Sequence, residues 1–257
     1  MSSSAFCSHC IELNELPGKP TGHETEVVGV SSYVAKGSKR GTIVIATDIF
    51  GLGIPNPMII ADNYAKESGF TTIVPDLFKK DPISPSDFQL KKHTNDSDPK
   101  PAEENFANFG KWLERGHGVE DTYPTFKKVV EAQAKEGPVA VIGYCYGGKL
   151  SSFAAQDAIV KGAVINHPAM LEKGEASKIK TPILLITSET DPIFSEDVKN
   201  DWTDTLNKAG LLDSNSQTYS GAVHGHACRP DLTKPDIKHA YEDSFKNSVT
   251  FFNRVLA

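Results

Sequence analysis

The chain has 257 residues, 39% hydrophobic and 23% charged, with 20 Gly and 16 Pro. This balance suits one large α/β domain and excludes collagen-like, bulk-disordered and membrane-spanning chains, because no apolar run approaches the ~18 residues that a spanning helix needs. The 27 basic residues against 33 acidic ones give a net charge of −6, without the basic stripe of a nucleic-acid-binding protein.

Residues 1–25 read as an N-terminal extension and residues 26–257 as a single domain. The extension begins without the basic start and continuous apolar segment of a signal peptide, so a cytoplasmic protein with reduced thiols is expected. Cys7 and Cys10 have the spacing of half a metal site, but no second pair completes a tetrahedron, and no metal is expected. Short apolar runs then alternate with helical patterns. Strands are predicted at Val27–Val34, Thr42–Ala46, Thr71–Val74, Val139–Ile142, Ala163–Ile165, Pro182–Thr187 and Gln217–Tyr219. The middle runs are nearly all apolar, as parallel strands covered on both faces should be.

The first crossover helix is punctuated by Asn56 as cap, Pro57 at the first helical position and Gly69 as terminator. Further helices are predicted at Ala102–Arg115, Asp121–Ala134, Gly148–Gln156, Glu196–Lys208 and Ile237–Val255. Lys79–Pro101, rich in Pro, Asp, Ser and Lys, reads as an excursion. Strand and helix taking turns imply a mostly parallel central sheet with helices on both faces. In such folds ligands sit beyond the carboxyl ends of the strands.

At that edge lies Gly143-Tyr144-Cys145-Tyr146-Gly147-Gly148, following the strand at Val139–Ile142. It matches a strand-to-helix nucleophile elbow with Cys in place of Ser. The flanking glycines leave room for a strained turn, and the helix start favours a thiolate at Cys145. A small buried filler or a phosphate-binding turn would also suit a Cys among glycines. The spacing does not fit the dinucleotide fingerprint. Downstream, Asp191 follows the Pro182–Thr187 strand and His224 follows the last strand, in the order nucleophile, acid, base. Glu189 and His226 are the alternatives, each two positions away; Asp191 and His224 are preferred. The oxyanion donors are expected to be the backbone N–H groups of Tyr146 and Ile49.

These residues, with Thr47-Asp48-Ile49-Phe50-Gly51 and Val74-Pro75-Asp76-Leu77-Phe78 at matching places, resemble the dienelactone hydrolase family over nearly the whole chain. The resemblance implies an α/β-hydrolase fold and cleavage of esters or lactones through a cysteine and a thioester acyl-enzyme, with no cofactor. It also implies that Asp48 takes the place of a glutamate that pairs with the thiol, and that Lys80 and Arg229 stand near positions that hold a substrate carboxylate. Phe50, Phe78, Tyr144 and Tyr146 are expected to line part of the pocket. The partner is then a small-molecule ester or lactone, with no membrane or nucleic acid, and the chain is a monomer or homodimer. A redox-responsive or ligand-binding protein that keeps the thiol without catalysis is the alternative.

Overall fold

The computed structural model describes residues 14–84 and 107–257. Cys7, Cys10 and most of the Lys79–Pro101 excursion fall outside them. Eight strands form one sheet in the order β1-β2-β4-β3-β5-β6-β7-β8. β1 (His23–Val27) and β2 (Val30–Ala35) are antiparallel, and β2 also runs antiparallel to β4 (Phe70–Pro75). From β4 onward every pairing is parallel: β3 (Lys39–Ala46), β5 (Val139–Tyr144), β6 (Ala163–Asn166), β7 (Ile183–Thr190) and β8 (Gln217–Val223).

The expected first strand is in fact a hairpin. Val27 pairs with Val30 across a two-residue turn, and both turn residues, Val28 at φ 47 and Gly29 at φ 76, have positive φ. That is the turn whose twist matches a hairpin. The glycine suits it, whereas the β-branched valine is a rare occupant. Reading the run as one continuous strand followed Val28's strand preference, which the turn overrides.

Alternate residues of the central strands feed two cores. Val44, Ala46, Val139 and Val141 face α2 (Val119–Glu136), α3 (Tyr146–Gln156) and α4 (Glu196–Ala209), whose Phe126, Leu150 and Trp202 are fully buried there. Ile43, Ile45, Ala140 and Ile142 face α1 (Asn56–Ser68) and α5 (Pro235–Val255), which contribute Tyr64, Phe251 and Phe252. Each such side chain is worth about 1.5–3 kcal/mol in burial, so the sheet is clamped from both sides and its carboxyl edge is a rigid platform. α1 has Pro57 in its first turn and ends where Gly69, at φ 81, returns its N–H to Ala65 O. Residues 107–112 are helical, and the chain then makes a π-helical turn at Leu113–His117 with Gly116 at φ 88.

Asn56, 1% exposed at the head of α1, ties the start of the described chain to the far end of the domain. Its side-chain amide donates to Asn14 O at 2.8 Å and Cys228 O at 2.9 Å, while its carbonyl accepts the Leu16 N–H at 3.0 Å. The segment past β8 is thereby held against α1. No helix among the described residues is long and apolar enough to cross a membrane.

Candidate active site

β5 is buried throughout, and its chain turns abruptly into α3 at Cys145, which has φ 54 and ψ −113. A non-glycine residue there is strained, and such strain persists only where surrounding structure over-determines it. The flanking glycines show why. A Cβ on Gly143 would collide with the Gly147 carbonyl, and one on Gly147 would collide with Ala46 O at the end of β3. Backbone on both sides therefore forces the turn. Cys145 is 8% exposed and stands at the head of α3, where unpaired N–H groups carry partial positive charge.

β7 and β8 deliver the next two groups. Asp191, just past β7, accepts the N–H groups of Ile193 (3.0 Å) and Phe194 (3.2 Å) on one carboxylate oxygen. The other oxygen accepts His224 Nδ1–H at 2.8 Å, with both side chains essentially inaccessible. Burial works against a charge on His224, but the Asp191 carboxylate and then the Cys145 sulfur outweigh it and raise its pKa to about 10. Nε2 has no hydrogen-bond partner of good geometry, although the sulfur lies near enough to act on the ring electrostatically. A loose resting contact of this kind tightens in many enzymes only when substrate is present. The structure thus brings Cys145, His224 and Asp191 to one edge of the sheet.

The two alternatives are engaged elsewhere. Glu189 is exposed and accepts Gly221 N–H at 2.8 Å and Ser220 Oγ–H at 3.2 Å. His226 is 1% exposed, with Nδ1 3.1 Å from Ser188 Oγ and 3.2 Å from Val223 O. Burial, only partly offset by the Val223 carbonyl, pulls its pKa down to about 4.

Across the elbow, the loop after β3 holds Ile49. Tyr146 is the first residue of α3, so its N–H is among those that a helix start leaves without an intrahelical acceptor. Asp48 lies in this loop with different company from that expected. Its Oδ2 accepts Arg229 Nε–H at 2.8 Å and Cys228 Sγ–H at 3.6 Å, and its Oδ1 accepts Phe50 N–H at 3.1 Å. The thiol it meets is that of Cys228, not Cys145. Burial and then the Asp48 charge hold the Cys228 thiol well above its usual pKa, so it is a protonated donor. Arg229 is 5% exposed, with its guanidinium 5.0 Å from the Phe50 ring centroid. Its placement is that of an internal counterion.

The four aromatic residues expected in the pocket are each at most 3% exposed. Phe78 and Tyr146 pack edge to face at 5.5 Å, and the Tyr144 hydroxyl lies 3.1 Å from that of Tyr64. They back the site from within the core. Lys80 is exposed at φ 64, with its backbone N–H donated to Asp76 Oδ2 at 2.8 Å. Among the described residues, no group of three or more His, Cys, Asp or Glu could hold a metal ion.

One residue that the sequence reading passed over stands in the centre. His167 directly follows β6, is 0% exposed, and has φ 32. Its ring crosses those of His224 and His226 at 5.0 and 5.3 Å. The signal was a polar residue immediately past an apolar strand at the functional edge.

Residues 29–256 match the model of the dienelactone hydrolase family. The chain is 28% identical to the hydrolase pyvD of Aspergillus violaceofuscus, with 96% of each chain covered. It is 27% identical to dienlactone hydrolase 1 of Gibberella moniliformis over 96% of this chain and 93% of that one. Among crystal structures, the dienelactone hydrolase-like promiscuous phosphotriesterase P91 from metagenomic libraries superimposes with a TM-score of 0.61 at 15% identity, covering 92% of this chain and 98% of that one. That last likeness speaks to the fold alone.

Proposed function

This chain belongs to the dienelactone hydrolase family and is a carboxylic ester hydrolase, and from that premise we propose that it cleaves activated esters or lactones through Cys145, His224 and Asp191. The carrying observation is the strained cysteine at φ 54 beside an imidazole anchored to Asp191 at 2.8 Å. His224 takes the thiol proton, and Asp191 fixes the tautomer and steadies the imidazolium. The sulfur attacks the carbonyl carbon, and the oxyanion is met by the N–H groups of Ile49 and Tyr146. Collapse of the intermediate breaks the ester bond, with His224 returning the proton to the departing alcohol. Water, deprotonated by His224, then attacks the thioester and releases the acid and the thiol.

Substrate preference follows from the leaving groups. A thiolate leaves more readily than a simple alkoxide, so the first intermediate reverts unless the alcohol is stabilised as a phenolate or enolate. Aryl esters and enol lactones are therefore the expected substrates. With the Arg229 charge engaged by Asp48, uncharged esters are expected to be accepted in preference to carboxylated ones.

The test is hydrolysis of p-nitrophenyl acetate by the wild type, Cys145→Ala and His224→Ala. Turnover that falls at least ~1,000-fold in both variants, with melting unchanged, supports the reading. Undiminished turnover in Cys145→Ala overturns it.

A further inference from the structure

The bond from Nδ1 to Asp191 and the covalent tether at Cβ hold two points of the His224 ring, and its Nε2 end has no hydrogen bond of good geometry. A side chain packed against the ring then sets how squarely Nε2 faces the sulfur. We propose that His167 is a positioning residue that does this: its ring, crossed against His224 at 5.0 Å and 65°, links the base to the loop after β6, which is hydrogen-bonded to the nucleophile. The inference rests on the cysteine reading above.

The loop after β6 is bracketed on Cys145. Cys145 N–H donates to Asn166 O at 3.2 Å, and Ala169 N–H donates to Cys145 O at 2.9 Å, one bond on either side of His167. His167 N–H donates to Ile186 O at 2.7 Å on β7, the strand that carries Asp191. Pro168 is seated so closely on the elbow that a Cβ on Gly148 would meet its Cβ at 2.8 Å. The backbone of His167 is thus referenced to both the nucleophile and the acid, and its ring is the part that reaches the base.

This placement is unfavourable by itself. The residue adopts φ 32, sparsely populated for any side chain with a Cβ, and both ring nitrogens are buried without a hydrogen-bond partner. Burial, and then the neighbouring positive charges of His224 and Arg229, keeps the imidazole uncharged, so it does not compete with His224 for the proton. An uncharged flat ring packed crosswise is the arrangement aromatic pairs favour at this separation, and it restrains the ring it meets without adding charge to the site.

Two variants separate the flat ring from its bulk. His167→Leu fills the space without a plane, and His167→Phe keeps one, and neither carries an unpaired nitrogen. With p-nitrophenyl acetate, the leucine variant should lose at least ~10-fold in kcat with KM unchanged, and alkylation of Cys145 by iodoacetamide near pH 6 should slow in parallel. The phenylalanine variant should recover both to within about threefold of wild type. A merely structural role would lower the melting temperature and leave these quantities alone. A leucine variant with wild-type kcat and alkylation, or two variants equally impaired, overturns the inference while Cys145-dependent turnover stands. Turnover that survives Cys145→Ala overturns the cysteine reading and this inference with it.

Discussion

Replacing His226 with Phe should make the protein less sensitive to acid. In the native protein burial holds this imidazole's pKa at about 4 against an ordinary value of 6.5. As pH falls, the unfolded chain therefore takes up its proton first, and the native state loses ground throughout that interval. The stability at stake is fully present above about pH 6.5 and is lost progressively down to about pH 4. Integrated between roughly pH 8 and pH 5, the unfolded chain's advantage comes to about 2 kcal/mol, equivalent to some 4–8 °C in melting temperature for a domain of about this size. Phe has no proton to gain. The substitution also removes the contacts of Nδ1 with Ser188 and Val223, but that cost is the same at every pH and cancels when each protein is compared with itself. Thermal melts of wild type and variant at both pH values give the answer. The acid-induced drop should be smaller in the variant by those few degrees. Equal drops would show that His226 is not buried uncharged, and the internal arrangement of the three imidazoles would need revision.

Further perturbations probe the supports of the site. Arg229→Ala leaves the Asp48 carboxylate buried without its counterion and should cost about 3–5 kcal/mol in urea unfolding. A loss below ~1 kcal/mol would show that Asp48 is compensated by other groups, and Asp48→Asn combined with Arg229→Met should recover much of the loss. Gly147→Ala drives its methyl group into the backbone carbonyl of Ala46, which cannot give way, so little soluble protein should be obtained. A variant that melts like the wild type would contradict the elbow geometry. Asp191→Asn keeps the shape but removes the charge that holds the His224 tautomer, and kcat should fall on the order of 10³–10⁴-fold with melting little changed. Unimpaired kcat would mean that another carboxylate serves.

The central strands were legible because they are buried on both faces, so their near-continuous apolar runs mark them without alternation. The elbow was legible for a different reason. Gly143 and Gly147 are required by backbone collisions, and such requirements leave a fixed spacing in the sequence. Cys145, Asp191 and His224 were picked out by their positions after strand ends together with the chain order expected of an elbow nucleophile, acid and base. What stayed hidden depends on contacts far apart in the chain. Nothing local in Thr47-Asp48-Ile49 tells that Asp48 meets Arg229 and Cys228, some 180 positions on. Aromatic residues beside the elbow resembled pocket walls because composition does not distinguish a ring that lines a cavity from one packed behind it. His167 was missed because a lone histidine after a strand has many ordinary uses, and its closeness to His224 exists only once β6 and β8 lie in the same sheet.

The reaction route is tested most directly by trapping its intermediate. Rapid quenching of the enzyme with p-nitrophenyl acetate, followed by peptide mass analysis, should find an acetyl group on Cys145 as a hydroxylamine-labile thioester that forms and decays at rates consistent with turnover. Steady turnover with that cysteine never acylated, or an acetyl group on another side chain that forms and decays at the rate of catalysis, would contradict the account.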